Sequence, residues 1–162
     1  MALPQLIEED LRVLEGALAT LVQRSEACLA LLIDRAGFLI TQGGEAGQFD
    51  TTTLAALAAG SFAAAQSMAS LTRETNFNSL FQQGDHSNLL ILTVDENCLL
   101  VAVFDSRITV GAVKYYAAGI VTQAAEQLQK ARERSPDSNL DLSALNLEDT
   151  SELFQRKRAD RN

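Results

Sequence analysis

The sequence predicts an α/β chain of the α+β sandwich type, with element order α-β-β-α-β-β-β-α, a mostly antiparallel five-stranded sheet, helices on both faces and a C-terminal tail. Three observations carry this prediction. Long segments near residues 5–24, 50–74 and 109–134 space their apolar residues as helices do. Short apolar runs at 28–33, 38–40, 89–94 and 98–104 come in pairs divided by turn residues. Those runs are apolar almost without interruption, and strands of that kind have to be covered on both faces, so helices belong on each side.

In the first segment Leu6, Leu11, Leu14, Ala17, Leu18, Leu21 and Val22 recur at three- and four-residue spacing with Glu8, Arg12, Glu15 and Gln23 between them, the pattern of an amphipathic helix over about 5–24. Cys28-Leu29-Ala30-Leu31-Leu32-Ile33 then runs into Asp34-Arg35-Ala36-Gly37 before Phe38-Leu39-Ile40 resumes. Gly37 supplies the positive φ of a tight hairpin there. Gly43-Gly44-Glu45-Ala46-Gly47 reads as a flexible loop. It lacks the lysine and the following cap of a phosphate-binding loop.

Asp50 is placed to cap the next helix, because its carboxylate accepts from first-turn amides; an Ala-rich stretch follows to about Glu74. Phe81-Gln82-Gln83-Gly84 offers a short strand, and Leu89 to Val94 with Cys98 to Phe104 forms a second hairpin around Asp95-Glu96-Asn97. Thr109 caps the last helix, which turns Val110, Val113, Ala117, Ile120, Val121, Ala124 and Leu128 inward.

The 162 residues make about one domain. Composition shifts near residue 130, and Ser135-Pro136-Asp137-Ser138-Asn139 stops the last helix, so the domain spans 1–134 and a flexible tail 135–162. A net charge of −8 opposes capture of a phosphate backbone, so no nucleic acid is expected as a partner. Cys28 and Cys98 lie far apart, without zinc-type spacing, and the N-terminus has no basic stretch feeding an apolar run. A cytoplasmic location is expected. His86 is the single histidine, so a triad or a His-pair metal site lacks its parts, and no cofactor or metal is expected. The chain reads as a non-enzyme.

The second helix is the informative element. On a wheel at about 100° per residue, Leu54, Leu57, Ala58, Phe62, Ala65, Met68 and Ala69 gather on one side and face the sheet. The opposite side holds Ala56, Ala59, Gly60, Ala63, Ser67 and Ser70, where a solvated helix would carry Lys and Glu. Gly60 and Ala64, at i and i+4, let another backbone come close. Two readings fit this face: burial inside its own subunit, or an interface with a partner. Residues 51–72 hold no charge, yet Thr51, Thr52, Thr53, Ser61, Gln66, Ser67 and Ser70 make the segment too polar for a membrane span.

The residues Leu31 to Gly37, Phe49 to Gly60, Phe77 to Gly84, and Val103-Phe104-Asp105-Ser106-Arg107 with Val110-Gly111 together resemble the roadblock/dynein light-chain superfamily, and within it the MglB type, over about residues 8–133. The resemblance implies a roadblock/profilin-like fold and a homodimer with paired second helices and joined edge strands. It implies that one Ras-like small GTPase of the MglA type docks across the shared platform and has its GTP hydrolysis stimulated, in control of cell polarity or motility. Members of the type act by fixing the switch segments of the GTPase without donating an arginine, which leaves Arg73 and Arg107 as ordinary surface or capping residues. The partner-binding residues implied are Ala56, Ala59, Gly60, Ala63, Ala64, Ser67 and Ser70, with Met68 and Leu71 shared between core and dimer contact. Similar tails reach a second surface of the GTPase. Here Leu147, Leu153 and Phe154, on a short helix at 147–156, are the matching contacts, and a disordered solubilising extension is the other reading of this tail. The alternative function is a scaffold of the same fold that binds without activating.

Overall fold

The structure is a computed structural model that describes residues 3–134. In chain order the elements are α1 (Glu8–Ser25), β1 (Leu29–Asp34), β2 (Leu39–Gly44), a 3-10 turn (Ala46–Gln48), α2 (Thr51–Leu71), β3 (Ser79–Gln82), β4 (Ser87–Thr93), β5 (Cys98–Asp105) and α3 (Val110–Arg134). The strands form one sheet in the order β2-β1-β5-β4-β3, and every pairing is antiparallel. The predicted order and layering are therefore those of the molecule.

The central strands β1 and β5 are buried on both faces, as their unbroken apolar runs require. Leu29, Leu31, Ile33, Leu99, Val101 and Val103 point to one side, where Ala55, Ala58, Ala59 and Phe62 of α2 cover them. Ala30, Leu32, Cys98 and Leu100 point to the other, under Leu14, Leu18 and Leu21 of α1 and Ala117, Ala124 and Leu128 of α3. The period-two alternation of a strand divides these residues between two cores.

Helix α1 starts at Glu8 rather than near residue 5, because the Asp10 carboxylate accepts the Ile7 N–H at 2.9 Å and closes the first turn there. Thr109 caps α3 as predicted, its hydroxyl accepting the Ala112 N–H at 3.3 Å. Strand β3 lies two residues earlier than 81–84, pairing Ser79 with Leu92 and Gln82 with Leu89. Gly43 and Gly44 correct the loop reading: both belong to β2 and pair with Ala30 and Leu29. Gly44 has φ +91°, and a Cβ there would collide with the Cys28 carbonyl oxygen. At the hairpin tip Gly37 has φ +97°, and a Cβ would come within 2.9 Å of the Ala56 Cα, so glycine lets this turn sit directly against α2.

The exposed face of helix α2

Helix α2 is set by its ends. Asp50 caps it as predicted: Oδ1 accepts the Thr53 N–H at 3.1 Å and Oδ2 the Thr53 hydroxyl at 2.7 Å, and these bonds hold the carboxyl below its usual pKa. At the other end Arg73 adopts φ +63°, and the Glu74 N–H turns back to the Ala69 carbonyl, which stops the helix at Leu71.

Between these caps one stripe, Ala55, Ala58, Ala59, Phe62 and Ala65, is buried against the sheet. The small side chains let the helix lie close, and Phe62 fills the remaining depth, its ring 5.0 Å from that of Phe77. By length and composition α2 passes for a membrane-crossing helix. In this fold its buried stripe is the roof of a core.

Of the predicted contact residues, Ala56, Gly60, Ala63, Ala64, Ser67 and Ser70 are exposed together on the outer face. Ala59 is not: it is 4% exposed and faces the sheet, so it leaves the set. Leu57 and Met68 correct the wheel in the opposite sense, being 64% and 61% exposed, and Leu71 is 85% exposed. The face is thus small-residued in its middle and studded with large apolar side chains at 57, 68 and 71. Ser67 and Ser70 donate their hydroxyls back to the carbonyls of Ala63 and Gln66, at 3.0 and 3.1 Å, which leaves the face little outward donor capacity. Phe38, 71% exposed, follows the glycine that abuts Ala56 and adds an aromatic group near the start of the face. Its only sequence signal is a bulky apolar residue beside a turn glycine. Leu147, Leu153, Phe154 and the predicted helix at 147–156 lie outside the described residues.

The other chemistry-bearing groups sit in ordinary structural roles. Burial pushes the Cys98 thiol up to about 12 and raises that of Cys28, whose Sγ donates to the Val103 carbonyl at 3.2 Å, so both stay protonated. Arg107 forks onto Asp105 at 2.8 and 3.1 Å, and that hydrogen bonding pulls the Asp105 carboxyl down to about 2. His86 is exposed in the β3–β4 connection. Among the described residues no group of three or more His, Cys, Asp or Glu gathers as metal ligands would.

The pattern that defines the Roadblock/LC7 domain matches residues 15–104, more than half of the chain, from within α1 to the end of the central strand β5. The chain belongs to the Roadblock/LC7 family. Among solved structures this Roadblock/LC7 chain is similar to MglB of Myxococcus xanthus, at 28% identity and TM-score 0.73, over 78% of this chain and 96% of that one. An MglB described as having a tetrameric arrangement matches at 29% identity and TM-score 0.73, covering 79% and 96%. The gliding protein MglB of Thermus thermophilus matches at 29% and 0.72, covering 78% and 96%. No match is found among curated proteins.

Proposed function

We propose that this chain is a cytoplasmic, homodimeric regulator that binds a Ras-like small GTPase of the MglA type and stimulates its GTP hydrolysis, in control of cell polarity or motility. The observation that carries the reading is the outer face of α2: a 21-residue helix with no charged side chain, open at Ala56, Gly60, Ala63, Ala64, Ser67 and Ser70 and apolar at Leu57, Met68 and Leu71. A monomer in water has no use for such a face, and contiguous exposed apolar surface marks interaction sites. Likeness to MglB over nearly the whole length of those proteins supports the choice of partner class. The tetrameric arrangement of one of them supports self-association.

The hydrolytic chemistry belongs to the GTPase. Phosphoryl transfer to water depends on positioning and charge stabilisation, so a platform that orders the mobile switch segments of its guest accelerates the reaction without adding a catalytic group. Arg107, held by Asp105, and Arg73, at the helix stop, are assigned no finger role. Leu147, Leu153 and Phe154 of the tail are proposed as a second contact with the same guest.

The test is phosphate release from an MglA-type GTPase loaded with GTP, with and without the full chain, beside a calorimetric titration of the same pair. Faster release with one GTPase per two chains is the expected result. Binding with unchanged turnover selects the scaffold, and absence of binding removes the reading.

A further inference from the structure

The turn after β1 holds a cation whose surroundings differ from those of the paired arginines. Arg12, Arg107 and Arg132 meet carboxylates at 2.5, 2.8 and 2.6 Å, and Arg134 meets Asp10. Arg35 meets none among the described residues. Its guanidinium lies over the Phe62 ring, 5.4 Å from the centroid, half-buried between α2 and the β4–β5 turn. Nη1 donates to Gln66 Oε1 at 3.4 Å, and Nη2 donates to Thr93 Oγ1 at 3.5 Å and to the Asp95 carbonyl at 3.4 Å. Nε is buried with no hydrogen-bond partner.

Charge-assisted N–H···O bonds settle at about 2.7–2.9 Å, so all three contacts of Arg35 are slack, and all three are to neutral groups. The neighbouring acids bond other donors. Asp34 Oδ1 accepts the Phe38 N–H at 2.8 Å. Asp95 Oδ1 accepts the N–H groups of Asn97 and Cys98, each at 2.8 Å, and its Oδ2 takes Arg132 at 2.6 Å. A half-buried guanidinium without a hydrogen-bonded anion is costly to the free protein, and a well-placed counter-ion offsets that cost. Arg35 also stands where a guest would meet it: Gln66, its contact on α2, is exposed at the border of the buried stripe, one turn from Ala63 and Ser70 of the open face.

We propose that Arg35 is the anchor for a carboxylate side chain on the docked GTPase: on docking, the guanidinium exchanges Gln66 for an acidic group of the guest. This inference rests on the reading of α2 given above and adds the charge that the guest has to carry opposite it. Arg35 is a specificity residue, placed beside the uncharged platform to admit a guest with an acid in register and to reject one with a cation.

The experiment compares the full-length wild type with Arg35→Met, which keeps an apolar stem over Phe62, and with Arg35→Lys, against an MglA-type GTPase loaded with a non-hydrolysable GTP analogue. Arg35→Met is expected to fold with an unchanged or higher melting temperature and to bind about tenfold more weakly, the loss of one desolvated ion pair. Its affinity falls less steeply than that of wild type between about 50 and 300 mM salt, because the screened pair is gone. Arg35→Lys restores part of the affinity. Binding by wild type that Arg35→Met leaves undiminished overturns the anchor alone, and a wild type that never binds overturns the function reading and the anchor together. A lower melting temperature in Arg35→Met makes Arg35 a structural residue and overturns the proposal. Undiminished affinity, with stimulated phosphate release lost in a parallel assay on the GTPase loaded with GTP, would place the anion on the nucleotide instead of the guest's side chains, which also overturns it.

Discussion

Gly44 shows how much a single Cβ decides. It sits at φ +91°, paired with Leu29 at the end of β2, where an added methyl group meets the Cys28 carbonyl oxygen and the Val22 side chain at 3.2 Å. The obstacle is backbone rather than the far end of a flexible chain, so the strand has to shift to accept it. Gly44→Ala is expected to cost about 2 kcal/mol, combining the strained φ with the displaced pairing. A urea titration checks this; a midpoint within error of wild type would mean that the β2 end relaxes freely. The same region explains where the sequence misleads. Two adjacent glycines ordinarily mark a loop, and nothing in Gly43-Gly44 alone says that α1 packs so near that a Cβ on Gly43 would lie 3.1 Å from the Leu18 Cβ. The glycines are there because a helix and a strand approach closely, which is a tertiary fact.

At the scale of an element, the proposed function rests on α2, and Ala63→Arg tests it. Ala63 is exposed and its addition of a cation disturbs no core contact, so the variant is expected to keep its far-UV signal and to melt within about 1 kcal/mol of wild type in stability. Partner binding is expected to be lost, because a charged side chain in a face built for close approach is left desolvated and unpaired. Global unfolding of Ala63→Arg would mean that this position packs inside the subunit. The existence, cap and uncharged character of α2 are legible in Asp50, Thr53 and the charge-free stretch behind them. Its rotation is legible only in part. A wheel is phased by the contrast between polar and apolar residues, and in an Ala-rich helix that contrast is almost absent. The wheel places Phe62 correctly, but it turns Leu57 and Met68 inward for being apolar and Ala59 outward for being small. The fold reverses both, because alanines at 55, 58, 59 and 65 let the helix settle near the sheet while the larger side chains at 57 and 68 stay exposed. The strands of the sheet are easier, since unbroken apolar runs such as Leu29 to Ile33 admit one arrangement, burial on both faces. Arg35 is visible in its turn motif, but the commitment of Asp34 and Asp95 to other donors is not.

Across the whole molecule, the layer opposite α2 is closed by a buried carboxylate that joins the first and last helices of the described residues. Asp10, fully buried near the start of α1, accepts from the Ile7 N–H at 2.9 Å, from Gln127 Nε2 at 2.6 Å and from Arg134 in the last turn of α3. Burial alone would favour the neutral acid; the hydrogen bonds from Ile7, Arg134 and Gln127 outweigh it and hold the carboxyl below its usual pKa. The unfolded chain therefore binds a proton at higher pH than the folded one, so the stabilisation is fully present above the ordinary carboxylate pKa and is lost as pH falls through the lower folded value. Other carboxyls, Asp105 among them, also titrate low, so acid weakening of wild type by itself does not isolate Asp10. The difference between wild type and Asp10→Asn does, because the remaining groups are common to both. Near pH 7 the variant is expected to be less stable by about 2 kcal/mol, the worth of charge-assisted hydrogen bonds to a buried anion. Denaturant titrations at descending pH should show that gap constant down to about pH 4 and closing below it, as protonation takes from wild type what the substitution has already removed. A gap that stays the same width through the acid range would show that Asp10 acts through shape alone. In that case the tie between α1 and α3 is a matter of packing around Gln127, and not of charge.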